Sequence, residues 1–399
     1  MINMYIEAKA SGKILWLGGY SVLERPNIGY VTTIDSYVHV YLELIDNSDK
    51  IYIKVPQFKV DLSGSINLQN GKLKIERLNE LNLLLTTVEV TLSYVLSKGY
   101  KLKGMKLYTK NDKALIYNIM NVNPGLKKIS KTGMGSSSAV TVAVVASILS
   151  AYNLDMYEND CLHKLAQISY STAVKKIGSG FDIAAATYGS IEYIRYSPSL
   201  ISDFPYEFSS DDVDKIVSKK WDYQIKKVQL PIIFDTLIAN FINESSITTS
   251  LVGSVNEFKK HNPEVYANII NEINKSTKKA VNALYEINNS NNTNTNKIEE
   301  FIEEFEKSRL ATKQLGKLSN TEIETDDITE LIEKSKLNGA LVARSPGAGG
   351  KDSLVALSLK GEKDKLKKFW STINILELLE TEVQNNGCTV TFYKDENLH

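Results

Sequence analysis

Cysteine is nearly missing from this chain: 399 residues contain only Cys161 and Cys388. Two distant thiols exclude a disulfide framework and any metal site built on closely spaced cysteine pairs. Net charge is missing too. Forty-seven basic residues balance 47 acidic ones, so no overall field draws the chain to nucleic acid or to an anionic membrane, and a charged ligand has to be met by a local site. No apolar run approaches the length of a membrane span, and no basic segment precedes an apolar one near Met1. A cytoplasmic protein without a membrane or nucleic-acid partner is therefore expected, and nothing in the pattern specifies an oligomeric state. Two nucleotide signatures are lacking as well. Lys351 is followed by Asp352 rather than by Ser or Thr, which breaks the P-loop pattern, and no Gly-x-Gly-x-x-Gly opens a βαβ unit.

What is present is an ordinary soluble composition, 43% hydrophobic and 24% charged, on a chain longer than one hydrophobic core usually supports. Two domains are expected, divided where Ser- and Asp-rich texture sets in around 198–230; the division is placed at residues 1–205 and 206–399. The stretch from Tyr5 to Tyr20 reads as two short strands separated by residues 10–13. The segments Tyr30–Asp35 and Tyr37–Leu44 read as a pair of antiparallel strands, and His39 between apolar neighbours reads as a satisfied strand residue. Helices are expected over 82–96 and 159–174. The asparagine tract at 288–296 has too little apolar content to pack and reads as a mobile surface loop.

Three glycine loops stand out. Thr132-Gly-Met-Gly-Ser-Ser-Ser138 runs into the apolar helix Val140–Leu149. The first amides of such a helix lack partners and carry partial positive charge, which suits a phosphate, although a serine ahead of a helix is also an ordinary cap. Gly178-Ser-Gly-Phe-Asp182 places a carboxylate at the head of a small-residue helix, where it could simply cap. Ser345-Pro-Gly-Ala-Gly-Gly350 lies between two strand-like runs and by itself suits a tight hairpin. Lys13, where a strand begins beside Ser11-Gly12, could be a solvated edge residue or could aim its ammonium at a phosphate.

Lys13 with its flanking Ala-Ser-Gly, the 132–138 loop, Gly178–Asp182 and Gly347–Gly350 occur in the order and rough spacing of the GHMP small-molecule kinases, which the chain resembles over nearly its whole length. Within that superfamily it is most similar to the phosphomevalonate kinases, on Gly18-Gly19-Tyr20 where mevalonate kinases show Gly-Glu-His, and on Gly-Ser-Gly-Phe-Asp around Asp182. The Ser245–Val252 stretch is a looser match. No Tyr-Trp-Gly-Lys motif of diphosphomevalonate decarboxylases is present. Two departures are visible: Ala-Ser-Gly-Lys replaces Ala-Pro-Gly-Lys, and Lys351 stands where another glycine is common.

The resemblance implies an α+β, two-domain GHMP fold, with an N-terminal domain like ribosomal protein S5 domain 2 and a ferredoxin-like C-terminal domain. It implies transfer of the ATP γ-phosphoryl group to 5-phosphomevalonate with Mg²⁺. By the same resemblance Lys13 and Asp182 are catalytic; Lys131, Gly133, Met134, Gly135, Ser136, Ser137 and Ser138 hold ATP, with Ser136 and Ser137 on the metal; and Lys13, Gly19, Tyr20, Ser179, Gly180, Asp182, Ala348 and Gly349 hold the acceptor. Lys131, Lys175, Lys176, Arg195 and Arg344 are candidates for the acceptor's phosphate. Other GHMP kinases, a decarboxylase-like enzyme and a catalytically silent ligand-sensing relative are the alternative readings.

Overall fold

A computed structural model of the chain describes residues 4–116, 118–123, 126–130, 133–154, 159–242, 248–290 and 294–394. The expected α+β class holds. A ten-stranded sheet is built on two long neighbours, β1 (Met4–Leu17) and β2 (Gly29–Ile45). Its main path continues from β2 through β3 (Lys50–Val55), β4 (Val60–Ile66), β5 (Leu73–Lys74) and β6 (Gly104–Asn111), with β6 lying between β2 and β3. Of these, β3 and β6 run parallel. Strands β7 (Asn118–Asn123) and β8 (Leu126–Ser130) form a separate two-stranded hairpin, while β9 (Ile191–Ile194) and β10 (Gln224–Lys227) extend the large sheet beyond β2.

The β1 and β2 alternation explains which face is buried. Ile6, Ala8 and Ala10 of β1, with Val38, Val40 and Leu42 of β2, are buried, as a period of two requires. Helices α1 (Asn82–Ser97), α2 (Ser136–Ala151), α3 (Asn159–Val174) and α4 (Phe181–Tyr188) cover that face. Helix α2 is buried along nearly its whole length, which follows from an apolar run with no polar stripe. The short helix α5 (Ser210–Val217) packs beside α1.

A second, four-stranded antiparallel sheet comprises β11 (Phe234–Phe241), β12 (Val342–Arg344), β13 (Ser353–Leu359) and β14 (Leu376–Leu378), in the order 12-13-11-14. Its alternating residues serve two cores. Phe234, Ile238, Val355 and Leu357 join the main core with residues of the long antiparallel helices α7 (Pro263–Asn289) and α8 (Thr295–Leu318). Leu237, Ala239, Leu354 and Ala356 pack instead with α9 (Asp326–Leu337) and α10 (Lys363–Trp370). Helix α6 (Thr248–His261) packs against α7. The chain then returns to the large sheet: β15 (Val383–Gln384) pairs with β2 and β16 (Thr389–Lys394) with β1.

Two expectations are corrected. Residues 5–17 are one strand, not two, and Tyr30–Asp35 and Tyr37–Leu44 lie in one strand rather than pairing with each other. No glycine or proline follows Gly29 within β2 to turn the chain, so the hydrophobic alternation runs on past Asp35-Ser36. In the asparagine tract, Asn288 and Asn289 end α7, and Asn294 caps α8 by accepting from the Lys297 amide; residues 291–293 lie outside the described residues. His39 is satisfied as expected, by Glu7 at 2.8 Å and Asp112 at 3.3 Å. Both cysteines are free. Among the described residues, no helix is long and apolar enough to cross a membrane.

Candidate active site

Lys13 owes its position to an irregularity in the β1–β2 ladder. Ser11 pairs with Tyr37 but Lys13 pairs with Thr33, so residues 34–36 oppose Gly12 alone. Such a bulge re-aims the side chain that follows it. Gly12 is needed there: a Cβ would lie 2.8 Å from Leu115 Cδ2 and 2.9 Å from Ile34 Cδ1. The re-aimed Lys13 runs beneath the first glycine loop. Its amide donates to the Met134 carbonyl at 2.8 Å and its Nζ to the Gly133 carbonyl at 2.9 Å. The residue is only 9% exposed, and its ammonium lies 5.5 Å from the centre of the Phe181 ring. Burial pulls its pKa below the usual lysine range, while the carboxylates of Asp182 and Asp352 act in the opposite direction.

The three serines form the first turn of α2 and do not cap it. The N-cap is Gly135, in the left-handed conformation and with no side-chain cap bond. The amides of the first turn are thus left for a guest. Ser138 Oγ turns back to donate to the Gly135 carbonyl at 2.8 Å. The Met134 side chain is fully buried in the main core, so this residue meets the site only through its backbone. Lys131 lies outside the described residues.

The 178–182 loop is held by its carbonyls. Arg195 Nη2 donates to Gly178 O at 2.7 Å, Tyr193 Oη to Ser179 O at 3.1 Å and Gln167 Nε2 to Gly180 O at 2.8 Å. Three successive bound carbonyls fix the loop and the start of α4, whose N-cap, Gly180, is again left-handed and lacks a side-chain cap. Asp182 therefore does not cap from the N-cap position; it sits one residue inside the helix, where its Oδ1 accepts the Ile183 amide at 3.0 Å. Gln167 and Tyr193 escaped sequence reasoning, because nothing local to a helix or strand residue announces which loop it will reach.

The last glycine loop closes on the end of β1. Tyr20 Oη donates to the Ala348 carbonyl at 2.9 Å, the Gly347 amide reaches the Leu15 carbonyl at 3.3 Å, and a Cβ at Gly19 would lie 2.8 Å from the Gly347 carbonyl. Gly349, at φ +81°, leaves no room for a side chain, since a Cβ would meet the Ile323 carbonyl at 2.4 Å. Tyr20 itself is buried with Val255, Tyr266 and Ile323. All four motifs thus converge: Lys13 touches the first loop, and the Asp182 helix and the last loop flank it.

Residues 87–190 match the model of the GHMP kinases N-terminal domain. A phosphomevalonate kinase of Saccharolobus solfataricus is 31% identical, with 94% of this chain and 98% of that protein covered. The chain belongs to the phosphomevalonate kinase family of GHMP kinases. The peroxisomal phosphomevalonate kinase of Arabidopsis thaliana is 27% identical over 96% of both chains. The Streptococcus pneumoniae phosphomevalonate kinase solved with phosphomevalonate and AMPPNP shares the fold, with a TM-score of 0.72 at 21% identity over 95% of this chain and 99% of that one.

In this GHMP kinase the expected cations for an acceptor phosphate separate into two kinds. Arg195 and Arg344 are buried and tied to backbone. Arg195 also donates to Leu23 O at 2.5 Å; Arg344 donates to Trp16 O at 2.8 Å and Ser345 O at 3.3 Å, and burial lowers its pKa to about 10. Lys175 and Lys176 are exposed, and Lys175 lies over the Tyr206 ring. The extra cation of the last loop, Lys351, pairs with Asp327 on α9 at 2.8 Å. The Ser245–Val252 match falls partly outside the described residues. Among the described residues no three His, Cys, Asp or Glu side chains gather into a metal cage. A Mg²⁺ ion that binds with ATP needs only one or two protein ligands and draws the rest from phosphates and water.

Proposed function

We propose that this kinase transfers the γ-phosphoryl group of ATP to the 5-phosphate of (R)-5-phosphomevalonate, giving the 5-diphosphate and ADP in the mevalonate pathway of isoprenoid biosynthesis. The observation that carries this reading is the likeness to a phosphomevalonate kinase at 31% identity over nearly the full length of both proteins. The bond from the γ-phosphorus to the β–γ bridging oxygen breaks as one forms to an acceptor phosphate oxygen. A phosphate monoester has a second pKa of about 6, so at neutral pH that oxygen is mostly deprotonated already. Little is left for a general base, and the task is to bring two anions together in line.

The residues divide accordingly. Lys13 bridges donor and acceptor phosphates, and Asp182 keeps it oriented. The backbone of residues 133–138 cradles the ATP phosphates, as the uncapped start of α2 supports. Mg²⁺, when bound with ATP, neutralises phosphate charge; the hydroxyls of Ser136 or Ser137 would hold it. Gly19, Ser179, Gly180, Ala348 and Gly349 line the acceptor side, and Tyr20 contributes there through the Ala348 carbonyl. Residues 1–205 form the ATP-binding domain and 206–399 the C-terminal domain, which lends β10, β15 and β16 to the large sheet. The reading includes a cytoplasmic location.

The test is ADP release with a panel of acceptors: 5-phosphomevalonate, mevalonate, homoserine and 5-diphosphomevalonate. Turnover is expected with 5-phosphomevalonate. Preference for mevalonate, or CO₂ release with the diphosphate, overturns the reading, and ATP turnover above background with any of them excludes a catalytically silent relative.

A further inference from the structure

We infer that Asp352 is a positioning residue of this site: its carboxylate, delivered by the second sheet, acts with Asp182 to keep Lys13 charged and aimed along the 133–135 loop. The inference rests on the reading of Lys13 as the phosphate-bridging cation.

The placement of Asp352 is set by the second sheet. It immediately precedes β13, and its carbonyl accepts the Phe241 amide of β11 at 3.2 Å, which fixes the backbone where the glycine loop ends. From there the side chain reaches the first loop. A Cβ at Gly133 would stand 3.2 Å from Asp352 Cβ and 3.8 Å from its Oδ2. The same Gly133 offers its carbonyl to Lys13 Nζ at 2.9 Å. Gly133 is therefore bordered by both groups, the Lys13 ammonium on its carbonyl and the Asp352 side chain beside its Cα. The neighbouring side chain goes elsewhere: Lys351 pairs with Asp327 on α9, while the Asp352 carboxylate lies beside Gly133.

The electrostatics need such a group. A lysine withdrawn from water drifts toward the neutral amine, and a neutral amine cannot neutralise two phosphates. Among the described residues the charged groups acting on Lys13 are Asp182 from α4 and Asp352 from the last loop. Its β2 partner is Thr33, which is neutral, and the first loop contributes only the carbonyls of Gly133 and Met134. One carboxylate comes from each part of the chain, Asp182 from α4 and Asp352 from beside the last loop.

Competitive labelling of the ligand-free protein with acetic anhydride, read peptide by peptide in a mass spectrometer across pH, titrates Lys13 without reference to any acceptor. Asp352→Asn is expected to lower the apparent pKa of Lys13 by about one pH unit, and Asp352→Glu to leave it near the wild-type value. In turnover, the alkaline limb of the kcat profile moves to lower pH by a similar amount, and kcat at neutral pH falls by roughly 10- to 100-fold, with smaller changes in either KM. Asp352→Ser serves if the Asn variant does not fold. An unmoved Lys13 titration overturns the inference whatever the acceptor proves to be. So does a loss of kcat that excess Mg²⁺ restores. Failure of the acceptor panel alone leaves the labelling result standing, so the two readings fail separately.

Discussion

The hydroxyl of Tyr20 donates to the carbonyl of Ala348 across 328 residues of chain. Tyr20 holds a positive φ of 62°, which a bulky residue rarely adopts without outside support. The support is its buried ring, packed with Tyr266, Ile269 and Ile323, and the outcome is a last glycine loop fastened over the end of β1. Burial also raises the phenol pKa well above the ordinary tyrosine range, so it remains a donor at working pH.

Tyr20→Phe keeps the packing and removes only this donor. The Ala348 carbonyl is then left without it, at a cost of about 1–3 kcal/mol. A lowered Tm and an acceptor KM raised several-fold, with ATP KM nearly unchanged, are expected. Steady-state kinetics with each substrate varied in turn check it, and an unchanged acceptor KM would count against the latch.

Lys13 and Asp182 are expected to differ in rank. If the acceptor is already ionised, Lys13→Ala removes the charge that joins the two phosphates, whereas Asp182→Asn only loosens its orientation. The alanine variant should therefore lose more kcat with both substrates saturating. Equal losses would restore Asp182 to the part of an obligatory base.

Gly135 adopts φ +82°, and a Cβ there would sit 2.9 Å from Lys13 Cε. Gly135→Ala should reduce kcat by on the order of 100-fold, as small displacements of a reacting group can. Gly99 provides the control, with φ +80° and nothing within 4 Å of an added Cβ. Gly99→Ala carries a similar backbone strain of about 1–2 kcal/mol and should lower Tm with kcat intact.

His163 gives the protein an acid sensitivity away from the site. Its ring is fully buried between Tyr188 and Tyr223, and neither nitrogen has a hydrogen-bond partner among the described residues. Burial lowers its pKa from 6.5 to about 3. Between those values the unfolded chain takes up a proton that the folded one refuses, so stability is full above pH 6.5 and falls as pH drops toward 3. The slope from this group is at most about 1.4 kcal/mol per pH unit. His163→Phe should flatten urea midpoints measured between pH 7.5 and pH 4.5 at little expense at pH 7.5. An unaltered slope would assign the acid loss to other groups.

Much of the fold was legible because periodicity is local: α1 and α3 fall where the expected helices over 82–96 and 159–174 place them. The β1 and β2 boundaries were not legible. The bulge between them shows only in the pairing of Ser11 with Tyr37 and Lys13 with Thr33. The hairpin at β7 and β8 carries no alternation that separates it from a polar loop, and so went unread. Among site residues, Lys351 attracted notice through its charge, yet its ion pair with Asp327 takes it to α9, and the neighbouring Asp352 turns inward.

By itself the sequence determined the four motifs, since each is a run of consecutive residues whose chemistry is local. Glycines at left-handed positions open the backbone, hydroxyls and amides follow at a helix start, and a lysine and an aspartate stand beside them. Tertiary structure alone decided which groups meet. Lys13 lies under Gly133 and Gly135; Arg195, Tyr193 and Gln167 hold the three carbonyls ahead of Asp182; Tyr20 fastens Ala348; and Asp352 reaches the first loop from the second sheet. Those encounters join residues up to hundreds of positions apart, and they follow from strand register and from the face that each side chain is given, neither of which a local pattern encodes.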